Sequence, residues 1–120
     1  MKFLWVTLRV NDMEASLKFY REVAGLPLNR RLSAHGGDMA FLGEGETQIE
    51  LISAAGGTPA QYGRDLSIGF EVASLNEKMA SVQALGLEVE GPFAPGPGVR
   101  FFFVKDPSGV RVQFVEQGRG

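Results

Sequence analysis

The chain repeats itself, and that repeat limits its fold more than any other feature. Val10-Asn11-Asp12-Met13 leads through a helical stretch to Gly25-Leu26, and Val72-Ala73-Ser74-Leu75 leads through another to Gly86-Leu87. Gln48-Ile49-Glu50-Leu51 is answered by Arg111-Val112-Gln113-Phe114. Val10 to Val72 is an offset of 62, Gly25 to Gly86 of 61, and Glu50 to Gln113 of 63. A near-constant offset predicts two related modules about a pseudo-twofold axis, with equivalent strands converging on one cleft. Each half, at roughly 60 residues, buries too little surface to be more than marginal alone. A single domain over 1–120 is therefore expected, with module one at about 3–53, a linker at 54–64 and module two at about 65–117.

Composition removes several classes of function. A chain that is 44% hydrophobic and 22% charged has enough apolar residues for a packed core. Its net charge of -2, with no dominant basic patch, offers no general attraction to nucleic acid or to an anionic membrane surface. Zero cysteines exclude disulfides, thiolate metal sites and cysteine nucleophiles, and agree with a cytoplasmic, reducing environment. Met1 to Val6 lacks a long apolar segment and runs directly into Thr7 and Arg9, so neither a signal peptide nor a membrane span is expected.

The residue pattern reads as βαβββ twice, an α+β architecture. Over 3–10, Leu4, Val6, Leu8 and Val10 alternate with Phe3, Trp5, Thr7 and Arg9, the signature of a half-buried strand. Asn11 or Asp12 caps the following helix. Asn11 with Glu14 fits a capping box, and Ser16, Phe19, Tyr20 and Val23 form a buried stripe. Gly25 supplies the left-handed stop, and strands are expected near 27–33, 38–43 and 47–53. In module two, Leu66, Ile68, Phe70 and Val72 alternate with Ser67, Gly69 and Glu71. Ser74 and Glu77 make a second capping box, Leu75, Met79, Val82 and Leu85 the stripe, and Gly86 the stop. Strands follow near 87–90, 99–105 and 110–116, with Asp106-Pro107-Ser108-Gly109 as a turn between the last two. The segment 91–98, rich in glycine and proline, is expected to be a rigid connection whose Phe93 borders the cleft as a rim or lid.

The alternation also assigns a surface. The apolar register of the first and last strand of each module must face the helices, so the opposite register faces the cleft. That places Trp5, Thr7, Arg9, Gln48, Glu50, Ser67, Glu71, Arg111 and Gln113 on one side. So many polar groups on one face predict a solvated groove rather than a second core. At least one of Phe101, Phe102 and Phe103 must join Trp5 there; all three are equally apolar, so alternation leaves open whether it is Phe102 or Phe101 with Phe103, and Phe102 is taken as the candidate. Two acids and two arginines on one surface tend to neutralise each other, with Glu50 pairing with Arg9 or Arg111. His35, the only histidine, stands beside Gly36-Gly37 at an expected hairpin tip, so no histidine dyad can form.

The run Leu8-Arg9-Val10-Asn11-Asp12-Met13-Glu14-Ala15-Ser16-Leu17-Lys18-Phe19-Tyr20, then Gly25-Leu26, with Phe103-Val104-Lys105-Asp106-Pro107-Ser108-Gly109, resembles the vicinal oxygen chelate superfamily. Glyoxalase I, extradiol dioxygenases, fosfomycin-resistance enzymes and bleomycin-resistance proteins belong to that superfamily. The resemblance spans about 3–117 and implies a glyoxalase-like fold, two βαβββ modules making a curved mixed sheet with a cleft. It also implies a homodimer, with clefts that draw residues from both subunits. Its enzymes hold a divalent metal with His or Glu from the first and last strands of each module. Those places here are Trp5, Glu50, Ser67 and Gln113.

Only Glu50 among them is a strong ligand. Indole donates a hydrogen bond but has no lone pair to offer a metal, and a neutral hydroxyl and an amide oxygen are weak partners for zinc, nickel or iron. The expectation is therefore a metal-free, cofactor-free, small-molecule-binding protein. Trp5 and Phe102 stack on a planar or apolar ligand, Glu50 and Glu71 meet a cation, and Arg9 and Arg111 meet a carboxylate or phosphate. Bleomycin itself fits less well, since a net charge of -2 gives little basis for a strongly anionic groove. The alternative is a lyase, isomerase or dioxygenase with a non-standard metal site, or metal-free acid/base chemistry at Glu50, the best catalytic candidate. Glyoxalase I activity is disfavoured because three of the four ligand places are changed.

Overall fold

The computed structural model describes residues 1–34, 36–54 and 58–118. His35 and the linker segment 55–57, both singled out in the sequence, lie outside the described residues. The chain forms two compact units, Met1–Gln61 and Tyr62–Gly120, and the division falls inside the expected linker.

Unit one contains β1 (Trp5–Arg9), α1 (Met13–Lys18) continued by a π-helical segment (Phe19–Val23), β2 (Leu28–Ala34), β3 (Gly37–Leu42) and β4 (Gln48–Ala54). Its sheet runs β1-β4-β3-β2. β1 and β4 are parallel, and the other pairs are antiparallel. Unit two repeats this with β5 (Ser67–Glu71), α2 (Leu75–Ala84), β6 (Glu90–Gly96), β7 (Val99–Lys105) and β8 (Arg111–Gln117), ordered β5-β8-β7-β6. The doubled βαβββ order is the one the offset predicted. Among the described residues no helix is long and apolar enough to cross a membrane.

Asp12, not Asn11, caps α1, its carboxylate accepting from the Ala15 N–H at 3.0 Å. The β1 ladder reaches one residue further than the capping box allowed, with the Val10 N–H donating to the Ile52 carbonyl at 2.8 Å. This delays the helix start and leaves the Asn11 amide oxygen to accept from the Ala60 N–H at 2.6 Å. The stripe of Ser16, Phe19, Tyr20 and Val23 is buried as expected. Over its second half the helix widens, with the Ala24 N–H donating to the Phe19 carbonyl, and the Leu26 N–H closes its end on that of Tyr20. Gly25, at φ +73°, then turns the chain as a left-handed stop. The stripe packs with Leu8, Ala40, Leu42, Ile49 and Leu51 in the core of unit one.

In unit two, Ser74 accepts from the Glu77 N–H at 3.2 Å, and Leu75 and Val82 are fully buried. Leu85 departs from the expected stripe and is 59% exposed. It follows the last helical residue with ψ near 1°, which turns it off the apolar face. The core joins Leu75 and Val82 to Phe102, Val104, Val112 and Phe114. The Asp106 carboxylate closes the expected turn by accepting from the Ser108 and Val110 N–H groups at 2.8 and 2.9 Å.

The fourth strand position of unit two differs from the sequence reading. β6 occupies Glu90–Gly96, where a rigid connection was expected, instead of 87–90. It pairs with β7 through Glu90↔Phe103, Phe93↔Phe101 and Gly96↔Val99, with irregular register between them. β6 is the last strand of its sheet, so Pro92 and Pro95 lose no essential ladder donor there.

Candidate functional site

In each unit the sheet face opposite the helix gathers the polar and aromatic residues. Strand pairing sets the composition of that face row by row in unit one. Thr7 pairs with Glu50, Glu50 with Phe41, and Phe41 with Arg30, so one transverse row runs hydroxyl, carboxylate, ring and guanidinium across all four strands. Trp5 beside Gln48 flanks it on one side, and Arg9 beside Ile52 on the other. The Thr7 hydroxyl donates to Glu50 Oε1 at 2.5 Å, and Glu50 is only 6% exposed. Trp5 meets the Phe41 ring edge-on at 5.3 Å while remaining 44% exposed, and the Arg30 guanidinium lies 4.7 Å over the same ring.

The bond found on Glu50 comes from Thr7, where Arg9 or Arg111 was the expected partner. Arg9 Nη1 donates to the Thr58 carbonyl at 2.5 Å, and Arg111 binds Glu90 at 2.9 Å. The physical reason is position: the Thr7 hydroxyl, one strand away on the same row, reaches the carboxylate first.

Unit two shows the same face with different chemistry. Ser67, Gly69 and Glu71 pair with Arg111, Gln113 and Val115, and these in turn with Lys105, Phe103 and Phe101. Ser67 and Glu71 are exposed, and Arg111 is half-buried. The Arg111 guanidinium lies 3.9 Å over the Phe103 ring while also donating to the Arg64 carbonyl at 3.2 Å. A recess of about 560 Å³ opens beside it, lined by Arg64, Leu87, Glu90, Phe103 and Arg111 among others. An ideal Cβ on Gly69 would stand 3.1 Å from Gln113 Oε1, so glycine there leaves room for that amide.

Phe102 must be removed from the ligand face. It is fully buried on the helix side, its ring 5.5 Å from that of Phe114, because it pairs with Phe114 in the β7–β8 ladder. Phe101 and Phe103 take the opposite side and form an aromatic cluster with Phe93, at 5.7 and 6.2 Å. Phe93 belongs to β6 and not to a loop, and its ring packs on those of Phe101 and Phe103.

Phe41 and Arg30 escaped the sequence reading. Asp38-Met39-Ala40-Phe41-Leu42 is apolar at both parities from Met39 onward, so alternation alone assigns no face. The repeat contained the signal, since Phe41 precedes Phe103 by 62 positions, the offset that relates Val10 to Val72.

The four places where the resemblance implies metal ligands do not fit a transition metal. Trp5 packs on Phe41 and has no lone pair to give, and one Glu50 oxygen already accepts from Thr7. Ser67 and Gln113 supply only neutral oxygens. Among the described residues no group of three or more His, Cys, Asp or Glu side chains converges.

The model of the Glyoxalase/Bleomycin resistance protein/Dioxygenase superfamily matches residues 2–114. A lactoylglutathione lyase of Haemophilus influenzae is 32% identical over 97% of this chain and 93% of its own length. The uncharacterized protein YwbC of Bacillus subtilis is 30% identical over 92% of this chain and 93% of its own. Among solved structures, the trypanothione-dependent glyoxalase I of Leishmania major superposes with a TM-score of 0.85 at 24% identity, covering 97% of this chain and 86% of that one. An antibiotic-binding protein of a Streptomyces species, TnmS3, gives 0.80 at 20% identity, covering 98% and 97%. Those two likenesses establish the fold, and together with the family match over nearly the whole chain they lead to one conclusion: the chain belongs to the Glyoxalase/Bleomycin resistance protein/Dioxygenase superfamily.

Proposed function

We propose that this is a metal-independent small-molecule-binding protein of the superfamily, taking a planar or apolar ligand on the sheet faces that carry Trp5, Glu50, Phe103, Arg111 and Gln113. The observation that carries the reading is the donor set: Trp5, Ser67 and Gln113 stand where the superfamily's enzymes use strong metal ligands. Exposed Trp5, set on Phe41, and the Phe93–Phe101–Phe103 cluster offer rings for stacking, each aromatic pair contributing ~0.5–1.5 kcal/mol beyond burial. Micromolar affinity corresponds to ~8 kcal/mol, so several such contacts act together. The likeness to an antibiotic-binding protein agrees with a binding role. A homodimer and a cytoplasmic location complete the proposal. The first is supported by exposed Phe3, Leu4 and Trp5 at or beside β1, an end strand of its sheet, and the second by the absence of cysteine.

The test is metal content by inductively coupled plasma mass spectrometry after incubation with mixed Mn, Fe, Co, Ni and Zn and desalting, followed by a ligand screen on Trp5 emission. No retained metal together with a saturable Trp5 response is the expected result. Near-stoichiometric metal would overturn it.

A second reading rests on the lactoylglutathione lyases at 32% identity. In it the chain is a lyase, isomerase or dioxygenase that works through Glu50. Loss of turnover in Glu50→Gln, with ligand binding intact in Trp5→Ala, would put that reading first.

A further inference from the structure

An arginine lies over a phenylalanine on each face, reaching Phe41 from β2 in unit one and its repeat counterpart Phe103 from β8 in unit two, and the two guanidiniums differ in their other partners. In unit two the Arg111 guanidinium over Phe103 is discharged locally, onto Glu90 at 2.9 Å and the Arg64 carbonyl at 3.2 Å. In unit one the Arg30 guanidinium over Phe41 makes no hydrogen bond or ion pair among the described residues. Acids are present nearby but are engaged elsewhere. Arg31, the next residue, points to the helix side and takes both Glu14 at 2.6 Å and Asp38 at 2.9 Å. On Arg30's own face the in-register neighbours are Phe41 and, one row on, Leu32 and Met39. The nearest acid on its row is Glu50, two strands away and already bonded to Thr7.

Arg30 thus presents a planar fork of N–H donors, fixed over a ring, beside the exposed Trp5 and in line with the Glu50 carboxylate. A guanidinium is weakly hydrated and matches a flat oxyanion through two parallel hydrogen bonds, which an ammonium cannot do. Rings at Phe41 and Trp5 suit a planar body attached to that anion. We infer that the unit-one face is selective for planar aromatic carboxylates, with Arg30 as the specificity-determining residue: its fork takes the carboxylate, the Trp5–Phe41 corner takes the ring, and Glu50 accepts from a hydroxyl or amine on the ligand. This rests on the reading of the face as a small-molecule site and narrows the ligand's class.

The experiment titrates naphthalene carboxylate and the matching neutral carboxamide into the full chain, read by the emission of Trp5, its sole tryptophan. The carboxylate is expected to bind about tenfold more tightly than the amide, the gain of a bidentate ion pair over a guanidinium bound to one neutral oxygen. In Arg30→Gln the carboxylate loses more affinity than the amide, so the preference collapses, and Arg30→Lys restores only part of it. Should the glutamine variant fail to fold by circular dichroism, the lysine variant alone decides, a full retention of preference counting against the fork. Equal affinity for both probes, or an unchanged preference in the variants, overturns the inference and leaves the binding reading standing. No Trp5 response to either probe overturns the inference, and the binding reading falls with it only if the wider ligand screen is silent as well.

Discussion

Truncating Phe102 to alanine separates the two sides of the second sheet more sharply than any other single change. Phe102 has no exposed surface and stacks on Phe114 at 5.5 Å, so its loss removes a whole buried ring and leaves a cavity between α2 and the sheet. Such truncations cost ~3–5 kcal/mol, transfer and cavity contributions together. Phe103, one residue on, is half-buried on the opposite face against Phe101 and Arg111. Its truncation forfeits about half of a ring's ~1.5–3 kcal/mol burial and part of its aromatic contacts, or ~1–2 kcal/mol. A loss of this size is a large part of the ~5–15 kcal/mol that holds a folded domain together, so Phe102→Ala is expected to be strongly destabilised. Urea unfolding followed by far-ultraviolet circular dichroism, which reads the strands and helices directly, is the assay. With a slope of roughly 1–2 kcal/mol per molar urea, Phe102→Ala lowers the midpoint by ~2 M or more, and Phe103→Ala by ~1 M. Equal losses for the two variants, or a loss under ~1 kcal/mol for Phe102→Ala, would refute the assigned register.

Thr7→Val removes the hydroxyl that donates to nearly buried Glu50 and is expected to destabilise unit one by ~1–2 kcal/mol in denaturation followed by Trp5 emission, with Thr7→Ser recovering most of it. Hydrogen bonds from Arg31 hold the Asp38 carboxyl below the ordinary carboxylate range. Because this folded-state value is depressed, its contribution is complete above the unfolded carboxyl's pKa and is lost as pH falls through the folded one. Arg31→Gln is expected to raise the Asp38 titration seen by carboxyl-carbon NMR and to flatten this acid-limb dependence.

Local signals carried the element order well. Ser74 before Glu77 marked the α2 start, Gly25 the end of the first helical segment, and Asp106-Pro107-Ser108-Gly109 the β7–β8 turn, because caps and turns are set by a few adjacent residues. Between Asn11 and Asp12 the sequence left the cap of α1 open, since the choice depended on how far β1 stayed paired with β4. Glycines and prolines in 91–98 read as a connection and proved to be a strand, because an end strand needs few of its own N–H donors.

By itself the sequence determined that there are two βαβββ modules, and which parity of β1, β4, β5 and β8 is polar, because alternation and a constant offset are properties of order along the chain. The chemistry that argues against a chelated metal was equally legible, since indole, hydroxyl and amide have fixed donor properties in any fold. Only tertiary structure decided that Phe101 and Phe103, and not Phe102, share a face with Gln113, that Glu50 answers to Thr7, and that Arg30 stacks on Phe41 on the same face. Each of these depends on which residue of one strand lies opposite which residue of another, and where both parities are apolar only the hydrogen-bonded register resolves it.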